Sequence, residues 1–322
     1  MEVLSGNEIC VQLKALVERI AHRNLAEGIL LSGGLDTSIL AAVASKYIRL
    51  KAFTCAFQGA TAPDIEHAIL MANRLRISHY IHFFDEEELY EAARFVIKTL
   101  QVFDPMEVRN SSTIYIGLKF AKDNGAKSIM TGDALDELMA GYPWLFKYGE
   151  GELEAELRKI WKSMTFSSIP IGKAVGVEVK VPYLDPEFME FAMKLDLRYK
   201  IREENGQKWG KWIMRKAFED MLPEKIVWRR KDPIEVGSGT TILPNYFKSK
   251  ISDEEFESKR RKYLKEDGVT LRDKEQLFYY EIYRAEIGVP GSKKPSGKKC
   301  PQCNSEVPEN TNFCRTCGAY PI

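Results

Sequence analysis

The sequence predicts an α/β protein: a doubly wound parallel sheet, a mainly helical carboxyl-terminal half, and a small cysteine-bearing tail. Three observations carry this expectation. Strand-length apolar runs alternate with amphipathic helical segments from Gly28 to about Asp133. Beyond Tyr142 strand signals fade while helical periodicity continues, and four of the six cysteines crowd into the last stretch.

"NEICVQLKALVERIAHRNL" spaces its apolar residues as one helical face and opens the chain. "GILLSGG" then reads as a buried strand and "DTSILAAVASKY" as the helix behind it. "LKAFTCAF" is a second strand, followed by the helix "APDIEHAILMANRL", with Pro63 suited to a first turn. "SHYIHFF" alternates as a more exposed third strand. Helices follow in "EEELYEAARFVIKTLQ" and "SSTIYIGLKFAKDNG", the latter ended by Gly125, and "AKSIMTGD" makes a fourth strand. Later segments such as "GELEAELRKIWKSM", "DPEFMEFAMKL" and "KWGKWIMRKAFEDML" are helical, so this half is expected to pack on the sheet rather than continue it. "VPGSKKPSGKK" has the composition of a flexible linker. The expected organisation is a body over 1–290, a linker over 291–299 and a tail over 300–322.

The 322 residues are 44% hydrophobic and 29% charged with a net charge of +1, a balance that gives no global reason for a membrane or nucleic-acid partner. No apolar run approaches the roughly 20 residues of a membrane span. "MEVLSGNEIC" lacks the features of a secretory signal, so the cytoplasm is the expected compartment. Lone Cys10 and Cys55 fit a reducing setting, with Cys55 expected as a small buried strand residue.

In an open parallel sheet, ligands bind at the carboxyl ends of strands. "SGGLDTS" falls at such an end and opens a helix, where backbone amides and the helix dipole attract an anion. Gly33 and Gly34 permit close approach, and the Ser32, Thr37 and Ser38 hydroxyls add donors. No lysine follows these glycines. Asp36 repels phosphate unless it holds a divalent cation, so the loop reads as a seat for pyrophosphate with magnesium. "TGDALDELMAGY" brings Asp133, Asp136 and Glu137 to the same sheet edge, which suits a shared metal-nucleotide site.

These two motifs, with "FDPMEVRNSSTIYI", "GVEVKVPYLDPEFMEFAM", "KWIMRKAFEDMLPEKIVWRRKDPIEVGSG" and "DKEQLFYYEIYRAEI", resemble the synthetase domain of the asparagine synthetase family. That domain is an N-type ATP pyrophosphatase of the PP-loop (adenine nucleotide α-hydrolase-like) fold, and the resemblance covers nearly all of residues 1–290. It implies an amide ligase that cleaves ATP to AMP and pyrophosphate through an acyl-adenylate, its leading substrates being aspartate and ammonia. On this reading Ser32, Gly33, Gly34, Leu35, Asp36, Thr37 and Ser38 hold the departing pyrophosphate. Leu31, Phe57, Thr131 and Gly132 line the nucleoside, and Asp36 and Asp136 carry magnesium. Lys231 stabilises charge on the activated phosphate, Asp133 takes a proton from the amine, Glu137 joins the catalytic set, and Arg109 lies near phosphates and substrate.

Three departures bear on the substrate. Asp133 replaces the family's glutamate, "SSIPIGKAVG" stands where an Asp-Arg pair is usual, and Lys180 replaces arginine. Glu2 is not the family's glutaminase cysteine, so free ammonia, a separate glutaminase or another amine is the expected nitrogen source. A PP-loop enzyme that adenylates a tRNA base is the alternative.

In the tail, the pairs Cys300/Cys303 and Cys314/Cys317 match a four-thiolate zinc ribbon, a type found attached to many unrelated proteins. Recruiting a protein, docking on a second subunit and contacting tRNA are all open roles for it.

Overall fold

The computed structural model describes residues 6–204, 206–291, 297–309 and 311–322. Residues 292–296 of the expected linker therefore lie outside the described residues. The chain forms two compact units, one from Met1–Cys55, Pro63–His82 and Gly117–Pro233, the other from Ala56–Ala62, Phe83–Ile116 and Ile234–Ile322.

The first half runs α1 (Gly6–Arg23), β1 (Gly28–Leu30), α2 (Leu35–Ala44), β2 (Lys51–Phe57), α3 (Pro63–Leu75), β3 (Ser78–Phe84), α4 (Glu86–Leu100), α5 (Pro105–Asp123) and β4 (Ser128–Met130). It continues through α6 (Leu135–Leu138), α7 (Glu150–Ser163), α8 (Ser168–Val175), β5 (Glu178–Lys180), α9 (Pro186–Lys194), α10 (Leu197–Lys200) and the hairpin β6 (Arg202–Glu204) and β7 (Gln207–Trp209). Next come α11 (Trp212–Phe218), α12 (Glu224–Val227), α13 (Ile234–Gly237), α14 (Leu243–Lys250), α15 (Asp253–Asp267) and α16 (Lys274–Glu286).

Among the described residues the main sheet has the order β3-β2-β1-β4-β5. β1 pairs in parallel with β2 and β4, and β4 in parallel with β5. The chain winds outward from β1 to β3, then restarts on the other side at β4. That reversal creates a switch point between the carboxyl ends of β1 and β4, where a crevice opens because their loops diverge. β3 is one of the two edge strands, which explains why most of its residues stay half-buried or exposed.

The expectation that the sheet ends with the fourth strand is corrected by β5. Its three residues are too few for a periodic signal, and both Glu178 and Lys180 are charged. The register Ser128↔Glu178 and Met130↔Lys180 nevertheless adds it to the sheet.

Within the first unit, α2 is buried along almost its whole length because Ala41, Ala42 and Ala44 let neighbours approach closely. The stripe Ile9, Leu13, Leu16, Val17 and Ile20 seats α1 on α2, α9 and α11. Trp209 and Trp228 pack edge to face at 5.3 Å, and Trp212 is buried. In the second unit Phe103 lies between Tyr280 and Tyr283 of α16, and Phe247 of α14 packs on Phe278. Among the described residues no helix is long and apolar enough to cross a membrane.

Candidate active site

The loop after β1 stays on the sheet through Leu31, whose N–H donates to the Phe53 carbonyl at 2.8 Å. It then turns at Gly33, with φ +64°; a Cβ there would lie 2.3 Å from the His67 carbonyl carbon, so glycine is required. Gly34 precedes α2 and offers no side-chain cap. The Ser32 Oγ accepts from the Gly34 N–H at 3.2 Å and stands 3.2 Å from Thr37 Oγ1. Ser38 is fully buried, yet its hydroxyl has no hydrogen-bond partner among the described residues. An uncapped helix start, a close-approach glycine and an orphaned hydroxyl fit an anion in this cradle.

Across the switch point, Gly132 brings the loop after β4 against the start of α2. A Cβ at Gly132 would lie 3.0 Å from both Asp36 Cβ and Thr37 Cγ2. Ala134 adopts φ 77°, a left-handed conformation costly for alanine, and launches the single turn of α6 that carries Asp136 and Glu137.

Asp36 and Asp136 meet on one cation. Lys211 Nζ lies 2.7 and 2.6 Å from the two Asp36 oxygens and 2.6 Å from Asp136 Oδ1, while Lys231 Nζ reaches Asp136 Oδ2 at 2.9 Å. Burial pushes the Asp36 carboxyl upward against the pull of Lys211. Burial also acts on Asp136, but the Lys211 and Lys231 ammonium groups outweigh it and hold that carboxyl well below the usual range. Burial alone would lower Lys231; the facing carboxylates of Asp136 and Asp36 raise it instead. Two carboxylates converging on a cation are a donor set that also suits magnesium, which prefers hard oxygen ligands.

Sequence reasoning passed over Lys211. Its signal was the pair Gly210-Lys211 inside an apolar segment. A Cβ at Gly210 would lie 2.2 Å from the Ala140 carbonyl, and one at Gly141 would lie 1.8 Å from Asp136 Oδ1. Two glycines thus let the backbones cross where Lys211 must reach the carboxylates. Arg229 and Tyr183 were missed as well. Arg229 donates to the Ser32 carbonyl at 3.1 Å and to Asp64 at 2.7 Å, and the Tyr183 hydroxyl donates to the Asp36 carbonyl at 3.0 Å.

Asp133 is half-buried, and one of its oxygens, Oδ2, accepts from Thr131 at 2.9 Å and from Ser168 at 2.5 Å. Burial raises its pKa, with the two hydroxyls opposing. Ser168 belongs to "SSIPIGKAVG", the stretch that departs from the family pattern. Glu137 accepts from the Tyr142 hydroxyl at 2.5 Å, and burial raises its pKa too. The carbonyls ending α6 are taken by Trp161 Nε1 on Glu137, Lys200 Nζ on Leu138 and the Lys211 N–H on Met139. Lys180 pairs with Glu178 at 2.6 Å.

The structure therefore gathers Leu31 to Ser38, Thr131, Gly132, Asp133, Asp136, Glu137 and Lys231 in the first unit. Phe57 and Arg109 belong to the second. Phe57 packs edge to face on Phe84 at 5.6 Å, and Arg109 Nε faces Glu275 Oε1 at 3.5 Å without completing a hydrogen bond. Burial pushes the Glu275 carboxyl up to about 7, with Arg109 opposing. Cys300, Cys303, Cys314 and Cys317 are fully buried in the second unit, their sulfurs within 4.8 Å of one another.

A parallel sheet with a glycine-serine loop and an acidic loop flanking its switch point makes this a doubly wound α/β protein. The family model described as asparagine synthase matches residues 11–166 and 170–298, and the chain belongs to that family. It is 30% identical over 303 residues to a probable glutamine-hydrolysing asparagine synthetase of Dictyostelium discoideum, covering 84% of this chain and 53% of that protein. It is likewise 30% identical over 314 residues to asparagine synthetase B of Escherichia coli K12, covering 90% of this chain and 55% of that protein. The chain thus spans about half the length of these relatives. Among solved structures, NMN synthetase from Francisella tularensis is 18% identical, covers 59% of this chain and 94% of that chain, and has a TM-score of 0.30, too low to carry further comparison.

Two predictions follow from these charges. Lys211→Met leaves buried Asp136 and half-buried Asp36 without their shared cation, and urea unfolding near neutral pH is expected to show a loss of about 3–5 kcal/mol. A loss under about 1 kcal/mol would contradict the pairing. Glu275, raised from 4.5 to about 7, stays protonated in the folded chain while the unfolded chain ionises, so its destabilisation grows from about pH 4.5 and levels off above about pH 7. Relative to wild type, Glu275→Gln is expected to be about 3 kcal/mol more favourable at pH 8 than at pH 4.5; a pH-independent difference would contradict the shift.

Proposed function

We propose that this chain is an ATP-dependent amide ligase that forms AMP and pyrophosphate, using aspartate and free or externally supplied ammonia. The observation that carries the reading is the charge cluster of half-buried Asp36 and Lys231 with buried Lys211 and Asp136, beside the glycine-serine loop. The names of the matching relatives, glutamine-hydrolysing asparagine synthetases, support asparagine as the product.

Cleavage next to the α-phosphate explains why the loop needs no lysine of its own. The loop amides and the Ser32, Thr37 and Ser38 hydroxyls receive the pyrophosphate. The substrate carboxylate attacks the α-phosphorus, the bond to the bridging oxygen breaks, and negative charge passes to the departing pyrophosphate. Lys231 and Lys211, fixed beforehand by carboxylates, meet that charge without reorganising. Magnesium held by Asp36 and Asp136 would supply further charge neutralisation. Ammonia then attacks the acyl carbon, AMP leaves with the bonding electrons, and Asp133 accepts a proton from the nitrogen. Bracing of one Asp133 oxygen by Thr131 and Ser168 leaves the other for this task. Leu31, Thr131 and Gly132 remain assigned to the nucleoside and Glu137 to the catalytic set.

The four tail cysteines are proposed to hold zinc. A tetrahedron of thiolates at about 2.3 Å from the metal has edges of about 3.8 Å. Cys300 and Cys317 sulfurs stand 3.6 Å apart and those of Cys303 and Cys314 3.7 Å apart, far beyond a disulfide and close to that edge.

ATP-pyrophosphate exchange tests the ligase reading. Aspartate is expected to stimulate exchange, and stimulation by tRNA alone would move the chain to base adenylation. Lys231→Ala is expected to lower exchange by about 100-fold or more while ATP binding stays measurable; normal exchange in that variant would contradict its role.

A further inference from the structure

The described ribbon is held to the rest of the second unit along both knuckles. The first knuckle grips the segment after α15: the Thr270 N–H donates to the Gln302 carbonyl at 2.8 Å, and Asn304 Nδ2 donates to the Gly268 carbonyl at 3.0 Å. The second presents three successive carbonyls. Thr316 accepts from the Phe103 N–H at 2.6 Å, Cys317 from Gln276 Nε2 at 2.8 Å and Arg272 Nη2 at 3.1 Å, and Gly318 from Arg272 Nη1 at 2.7 Å.

These partners stand at helix starts. Phe103 comes two residues before α5, and Arg272 two before α16, whose first turn includes Gln276. Gln276 is fully buried, and its Oε1 accepts from the Arg272 N–H at 2.7 Å, so one side chain links the knuckle to the backbone entering α16. Gly318, with φ +74°, closes the contact; a Cβ there would lie 2.0 Å from Asp104 Oδ1. Buried polar groups must keep their partners, so a shift of the knuckle strips hydrogen bonds from both helix starts at once.

So short a knuckle has no apolar core of its own, and metal binding is what fixes its backbone. We propose that the metal-loaded ribbon is an intramolecular clamp that positions the first turns of α5 and α16, and with them the Arg109–Glu275 pair. The inference rests on the four-thiolate zinc reading above. Of the roles open to the ribbon in the sequence, it selects none of the recruiting ones. The pair lies next in line, since Glu275 adjoins Gln276 and Arg109 occupies the second turn of α5.

The test is hydrogen exchange of the full chain, before and after removal of zinc by a chelator, with zinc content measured on the same samples. Expected is faster exchange by about tenfold or more across 101–112 and 268–280 as well as in the ribbon. Faster exchange confined to 298–322 would overturn the clamp while leaving the zinc site intact. Protein that binds no zinc would overturn the metal reading itself, and the clamp as a metal-dependent device with it. Gly318→Ala provides a second arm that keeps all four cysteines. It is expected to retain zinc and still loosen 101–112 and 268–280; unchanged exchange there would count against the clamp.

Discussion

The ion cluster of Asp36, Lys211, Asp136 and Lys231 is the constraint around which the first unit is arranged. Taking a carboxylate out of water without a partner is costly, and here one ammonium touches both buried Asp136 and half-buried Asp36 while a second touches Asp136. Each charge comes from a different part of the chain: α2, α6, the start of α11 and the segment after α12. Satisfying them forces the local backbone into unusual shapes. Ala134, Ala140 and Lys211 all take positive φ, and Gly132, Gly141 and Gly210 admit contacts that a methyl group would block. Strain of this kind persists only where surrounding structure enforces it.

The same cluster links fold to chemistry. A switch point offers a crevice but no charge, and the uncapped start of α2 offers backbone and hydroxyl donors but no full positive charge. Adding fixed cations beside those donors yields a place where negative charge can move from substrate to leaving group without solvent reorganisation. Arg229 and Tyr183 extend the arrangement by holding the Ser32 and Asp36 carbonyls, so hydrogen bonds from two further segments brace the glycine-serine loop beside the ion cluster.

Much of this was legible in the sequence because it is local. Strand, glycine turn and helix follow one another in "GILLSGGLDTS", and four cysteines in two close pairs announce themselves. What was not legible depends on contacts distant in sequence. β5 is three residues long, Lys211 reads as one basic residue among many, and Ser168 acquires meaning only when it meets Asp133 from 35 positions away. The ribbon teaches the same lesson. Its cysteines imply a metal, but the grip of Arg272 and Gln276 on its carbonyls has no sequence pattern, since backbone acceptors are the same at every residue.

The account stands on cleavage of ATP beside its α-phosphate. Incubating the protein with α-labelled ATP, magnesium, aspartate and ammonia, and separating the labelled products, measures this directly. Label is expected in AMP, in step with pyrophosphate release and asparagine formation; label accumulating in ADP would contradict it.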